Sequence, residues 1–225
     1  MFLFSLLISI GCIGQSYSFD KRLTAFDKAQ GDSYGTEVDI HGTLMIVGSP
    51  NDGVSSSVLG GSAYIYELSG GAWTLLAKIR SNDSLTNKNF GAAVAISYDF
   101  AVVGDPEEAD RGAAYIFERN GNSWTQIDKL EAVVPTTFDM YGDDVEVDSN
   151  WIFIGAPQEE ENASGTGNVS LAGSVFVYNY DGMDWNFDHK MVPADRVPAS
   201  NQRFGYSLAA DDGHLIVGAY RRADS

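Results

Sequence analysis

Short apolar runs bounded by Gly, Asn, Asp or Pro follow one another along the chain, and the order of their types repeats. One type is continuously apolar: Leu44-Met45-Ile46-Val47, Phe100-Ala101-Val102-Val103, Trp151-Ile152-Phe153-Ile154 and Leu215-Ile216-Val217, each closed by Gly. A run of that length between turn residues reads as a strand covered on both faces. A half-apolar run precedes it, as in Ala92-Ala93-Val94-Ala95-Ile96. Two alternating, aromatic-rich runs follow, joined by Ser69-Gly70-Gly71, Asn120-Gly121-Asn122 or Asp181-Gly182, which are hairpin turn signals. Beyond the first residues no helical period competes. The pattern predicts a unit of four short strands, repeated in tandem.

Fixed offsets sharpen the repeat. An aromatic-Gly pair stands at Tyr34-Gly35, Phe90-Gly91, Tyr141-Gly142 and Phe204-Gly205, and 13 residues after each glycine come Gly48, Gly104, Gly155 and Gly218. These open Gly48-Ser49-Pro50, Gly104-Asp105-Pro106, Gly155-Ala156-Pro157 and the variant Gly218-Ala219-Tyr220. Gly61-Ser62-Ala63-Tyr64-Ile65-Tyr66 aligns without gaps with Gly112-Ala113-Ala114-Tyr115-Ile116-Phe117 and Gly173-Ser174-Val175-Phe176-Val177-Tyr178. Trp73, Trp124 and Trp185 lie 12 residues past those glycines, and Lys78, Lys129 and Lys190 lie 5 residues further. Four-stranded units of about 57 residues in tandem predict an all-β fold, a β-propeller of antiparallel blades. The Trp supplies large buried area between blades. The Lys reads as an outer-strand residue that discourages strand addition.

Charge narrows the partners. The 225 residues carry 31 Asp+Glu against 14 Lys+Arg, a formal net charge of −17, which repels a phosphate backbone and disfavours nucleic acid. A single Cys excludes a disulfide framework or a cysteine-based metal cluster. Residues 1–14 open on an apolar run, Met1 to Ile10, of signal-peptide length and too short to span a bilayer, with small residues before Gln15. A buried first strand or lipidation of Cys12 are the alternatives. No later apolar run is long enough for a transmembrane span. Secretion or a cell-surface location is therefore expected, and the sequons at Asn82, Asn162 and Asn168 are glycosylation candidates.

From about Tyr17 to its end the chain resembles the FG-GAP repeat of integrin α-chain propellers and their bacterial and protist relatives. That resemblance rests on the aromatic-Gly pairs and the Gly-x-Pro triplets. It implies an extracellular propeller whose face loops bind ligands in adhesion or recognition. Many relatives carry a calcium loop, D-x-[DN]-x-D-G-x-x-D, between the two landmarks. Here that interval is several residues shorter and holds stretches such as Ile96-Ser97-Tyr98-Asp99-Phe100, without the carboxylates for six or more oxygen ligands. No metal or other cofactor is expected.

The propeller is expected over 15–225, with repeats at about 34–89, 90–140 and 141–203 and a partial one at 204–225. Counting Tyr17 to Leu23 as a lone fourth strand gives about 3.75 blades, an incomplete ring, and the expectation of a longer propeller of six or seven blades. The variable connections between second and third strands are candidate ligand loops: Asn51 and Asp52; Glu107, Glu108 and Asp110; Glu159, Glu160 and Glu161. A solvated loop that tolerates insertions is the bland reading of the same residues. Gly31-Asp32-Ser33-Tyr34-Gly35 has nucleophile-elbow spacing but sits in a blade connection rather than a strand–turn–helix. His41, His189 and His214 share no ligand spacing. The expected function is non-catalytic recognition of an extracellular protein or glycan. The alternatives are the propeller portion of a larger exported enzyme and a structural matrix repeat.

Overall fold

The computed structural model describes residues 22–55, 58–83, 89–132, 138–160, 171–193 and 202–220. Its first sheet has the order β1 (Val38–His41), β2 (Leu44–Ser49), β5 (Ser62–Ser69), β6 (Ala72–Ile79), antiparallel throughout. Between β2 and β5, where a plain loop is expected from sequence, a small ribbon forms from β3 (Gly53–Ser55) and β4 (Val58–Leu59). The second sheet repeats the order with β7 (Ala93–Ile96), β8 (Phe100–Asp105), β9 (Ala113–Asn120) and β10 (Ser123–Leu130). The third does so with β11 (Val145–Asp148), β12 (Trp151–Ala156), β13 (Ser174–Tyr180) and β14 (Trp185–Met191). A hairpin of β15 (Phe204–Asp211) and β16 (His214–Ala219) starts a fourth. The lone strand expected at Tyr17 to Leu23 lies outside the described residues except for Arg22 and Leu23, which are irregular.

Packing explains why the second run is continuously apolar. All six residues of β8 are buried. Ala101 and Val103 join a core shared with the first sheet, where Leu44, Ile46 and Ile65 lie. Phe100 and Val102, on the other face, join a core shared with Val145, Ile152 and Trp185 of the third sheet. Each fully buried Val or Ile there contributes roughly 1.5–3 kcal/mol. Trp124 and Trp185 fill these inter-sheet layers, with Trp185 edge-on to Phe100 at 5.1 Å.

The repeating glycines lock one sheet to the next. Gly91 donates its N–H to the Gly104 carbonyl at 3.0 Å, and Gly142 does the same to Gly155 at 2.9 Å, which fixes the 13-residue offset within a sheet. Across sheets, a Cβ on Gly104 would stand 2.1 Å from the Gly142 carbonyl oxygen, so only glycine admits that backbone approach. Gly48 meets Gly91, and Gly155 meets Gly205, at the same separation. The first strands form the innermost layer and adjoin one another: Asp39 Oδ2 accepts from Ile96 N–H at 2.7 Å, and Asp144 Oδ2 from Leu208 N–H at 2.6 Å.

Candidate functional site

A β-bulge sits at the same place in every complete sheet. Pairing slips past Leu76, Ile127 and Asp188, each three residues after the repeating Trp. One extra residue reverses the alternation beyond it. Trp73 therefore pairs with Leu68 and Lys78 with Tyr64, two positions of equal parity, so both side chains take one face. The lysine expected to guard an outer edge is turned inward instead. Lys190 has a side chain only 7% exposed.

Each of these lysines meets a carboxylate four residues after the Gly-x-Pro glycine. Lys78 Nζ lies 2.5 Å from Asp52, Lys129 3.0 Å from Glu108, and Lys190 2.8 Å from Glu159. Each ammonium also sits over the third-strand ring of Tyr64, Tyr115 or Phe176, at 5.0, 5.6 and 5.5 Å. Ser62 Oγ and Tyr64 Oη donate to Asp52, and Ser174 Oγ donates to Glu159. Burial alone would raise the Asp52 pKa; Lys78, Ser62 and Tyr64 outweigh it and hold the carboxyl below its ordinary range. Asp27 and Asp83, each seven residues before an aromatic-Gly pair, accept from Tyr64 and Tyr115 and pair with Lys78 and Lys129. Three residues expected to meet ligand (Asp52, Glu108 and Glu159) thus anchor the loop to its own sheet. The signal for this was a fixed Gly-plus-four offset, which sequence reasoning passed over.

Other loop residues stay accessible and converge. Glu107 and Asp110 are exposed, Glu107 just before and Asp110 at the end of a 3-10 turn at Glu108–Asp110. With Pro106 they line a cavity of about 350 Å³ completed by Phe138 and Met140 from the connection into the third sheet and Gln158 from its second loop. Phe138 is 69% exposed, and its N–H donates to the Asp110 carbonyl at 2.7 Å. Asp110, Phe138 and Met140 hold φ of 60°, 71° and 56°, left-handed conformations that cost non-glycine residues energy. Asp105, wholly buried beneath this loop, is pushed up to about 7 by burial and by the charge of Glu108.

A second cavity, of about 480 Å³, opens beside the innermost strands and is lined by Glu37, Asp143, Asp144, Arg203, Gln158 and Tyr206, among others. Burial raises its carboxyls: Glu37 to about 8, with repulsion from Asp144, Asp39, Asp143 and Glu146 adding to burial; Asp144 to about 6, with repulsion from Asp143 adding; and Asp143 to about 6 against the opposing Arg203 cation. Among the described residues, no group of three or more His, Cys, Asp or Glu side chains is arranged to hold a metal ion.

The remaining sequence candidates scatter. Asn51 donates to Ser33 Oγ at 2.7 Å, Glu160 is half-buried, and Asn82 is exposed with its N–H on Gln126. Glu161, Asn162, Asn168 and residues 1–14 lie outside the described residues. His41 stacks edge-on with Tyr98 at 4.4 Å, while His189 and His214 are exposed on other strands. No helix among the described residues is long and apolar enough to cross a membrane.

Four-stranded antiparallel blades, joined through their innermost strands and docked glycine to glycine, define a β-propeller architecture. The FG-GAP repeat model matches residues 17–66 and 73–117, the matches ending on the third-strand aromatics Tyr66, hydrogen-bonded to Tyr34, and Phe117, packed on Phe90. The chain is an FG-GAP repeat protein. No curated protein matches it.

Proposed function

We propose that this protein is an extracellular, non-catalytic recognition module that binds a protein or glycan ligand through loops on one propeller face. The observation that carries the reading is the cavity of Pro106, Glu107, Asp110, Phe138, Met140 and Gln158. Three separate connections supply its walls, it exposes an aromatic ring, and its backbone is held in costly conformations. Concave sites with apolar walls and a few polar groups are the usual form of a ligand pocket. The apolar run at the N-terminus supports export. Binding to arrays of glycans and of cell-surface and matrix proteins tests it, comparing the protein with Phe138→Ala and Glu107→Gln. Saturable binding weakened tenfold or more by either substitution, with an unchanged melting curve, supports the reading. Absence of saturable binding, or binding indifferent to both substitutions, overturns it.

A further inference from the structure

The polar rung that fastens each face loop to its sheet is built differently in the second blade. Ser49 pairs with Ser62 and Ala156 with Ser174, and the third-strand hydroxyl donates to the anchor carboxylate, Asp52 or Glu159. In the second blade the same rung pairs Asp105 with Ala113, so the hydroxyl is missing and a carboxyl stands on the other strand. Asp105 has no exposed surface, and among the described residues neither of its carboxyl oxygens has a hydrogen-bond partner. The charges around it are one-sided. Glu107 and Glu108 act on it from its own loop, and Tyr115 neighbours it from β9. Lys129 of β10 is already shared by Asp83, Glu108 and Glu131, at 2.8, 3.0 and 3.1 Å. In the first blade the residue two past the anchor lysine is Arg80, a second cation on Asp52; here it is Glu131.

We propose that Asp105 is a proton-operated latch on the loop that walls the face cavity: neutral, it lets the Glu108–Lys129 anchor hold, and ionised, it drives Glu108 and its turn off the sheet. This rests on the ligand reading of that cavity and adds its regulation. An ionised Asp105 puts another negative charge beside Glu108 in a layer without water, where an unpaired charge is costly. The loop is poised to release, since Ala109 and Asp110 hold φ of 49° and 60°. Burial, then the charge of Glu108, raises Asp105 to about 7, and the Glu107 and Asn89 amides offset this only in part. Because the value is raised in the closed loop, closure is favoured below about 7 and weakens as pH climbs past it. Pro106, Glu107 and Asp110 line the cavity, so opening the turn dismantles one wall, and ligand is held at lower pH and released at higher pH.

Trypsin reads the latch on the full chain without any ligand. The Arg111–Gly112 bond closes the turn, and both residues donate their N–H to the Glu108 carbonyl at 2.9 Å, so cleavage there requires the turn to open. The rate of cleavage after Arg111, followed by mass spectrometry, is divided by that of Asp105→Asn at the same pH, which cancels the protease's own pH dependence. The ratio is expected to rise about tenfold from pH 6 to pH 8, as for a carboxyl of pKa about 7 in the closed loop and about 4 in the open one. Asp105→Ala, which carries the third blade's residue at this rung, is expected to match Asp105→Asn throughout. A ratio that stays flat or falls overturns the latch, and so does an Asp105→Ala variant that repeats the wild-type rise. Failure of the ligand reading shows separately, as absent binding on the arrays, and leaves the expected ratio unchanged.

Discussion

The Tyr141 hydroxyl donates to the Tyr178 hydroxyl at 2.8 Å, from a side chain with no exposed surface. The aromatic-Gly residue and the second third-strand aromatic are matched in every complete blade. Tyr34 faces Tyr66 with their hydroxyls 2.8 Å apart, while Phe90 faces Phe117 with ring centroids at 6.0 Å. A hydroxyl in this dry layer needs a partner, and an unpartnered one costs about 1–3 kcal/mol. Tyr178→Phe is therefore expected to destabilise by that amount, because it strands the Tyr141 O–H. The double variant Tyr141→Phe/Tyr178→Phe reproduces the pair of the second blade and is expected to recover about 1 kcal/mol relative to the sum of the single changes. Urea unfolding of the four proteins closes the cycle; strict additivity would refute the pairing.

Glu159 and Lys190 form the most buried of the three loop anchors, with side chains 2% and 7% exposed. Removing one charge takes from the other the opposite charge it holds at 2.8 Å in a low-dielectric layer. Lys190→Met is expected to cost about 3–5 kcal/mol. Adding Glu159→Gln should restore most of it, since the carboxylate that lost the Lys190 charge is then neutral. Equilibrium denaturation measures both. A loss below about 1 kcal/mol in the single variant would mean that water reaches Glu159.

Much of this architecture was legible because its causes are local. A strand covered on both faces must be apolar at every position, as β8 is, and a backbone approach that excludes a Cβ requires Gly104. Both constraints leave the same residue at the same offset in every blade. The lysines were read only as outer-strand guards; their inward turn depends on the extra residue at Leu76, Ile127 or Asp188, which turns the chain over. Nothing in those residue types announces a bulge. The face cavity was legible only in part. Glu107 and Asp110 stood out as charged loop residues, but Phe138 and Met140 reach the site from another connection, and no offset in the sequence ties them to it.

Gly104 offers a test of blade docking. Its φ is not left-handed, so alanine fits its backbone, but the new Cβ would stand 2.1 Å from the Gly142 carbonyl oxygen and force the second and third blades apart. Gly104→Ala is expected to destabilise by about 3 kcal/mol or more, at or above the upper range for overpacking. Gly121→Ala provides the contrast: its φ is +63° with nothing within 4 Å, so only backbone strain of about 1–2 kcal/mol applies. Thermal melts rank the two. Equal losses would show that the blades separate freely at this point.

The inner carboxyls set the dependence of stability on pH. Burial, then the repulsion of Asp144, Asp39, Asp143 and Glu146, raises Glu37 to about 8. Burial is also the first cause for Glu146, raised to about 7, and for Asp143 and Asp144, raised to about 6, with the Arg203 cation opposing the rise at Asp143. All four bind protons more tightly folded than unfolded. Folding is therefore favoured where they are protonated and weakens as pH rises from about 4, the unfolded value, towards 8. Asp27 and Asp52, held below their ordinary range, act oppositely only under more acidic conditions. The melting temperature is expected to be higher at pH 5.5 than at pH 8.5. In a chain of this size each kcal/mol is read as about 2–4 °C. Glu37→Gln removes the group with the highest pKa and should flatten the slope most between pH 7 and 8.5, where Asp143 and Asp144 are already ionised and Glu146 is completing its titration. A melting temperature that rises over that interval, or a slope unchanged by Glu37→Gln, would mean that the inner layer is solvated and its carboxyls titrate as free acids.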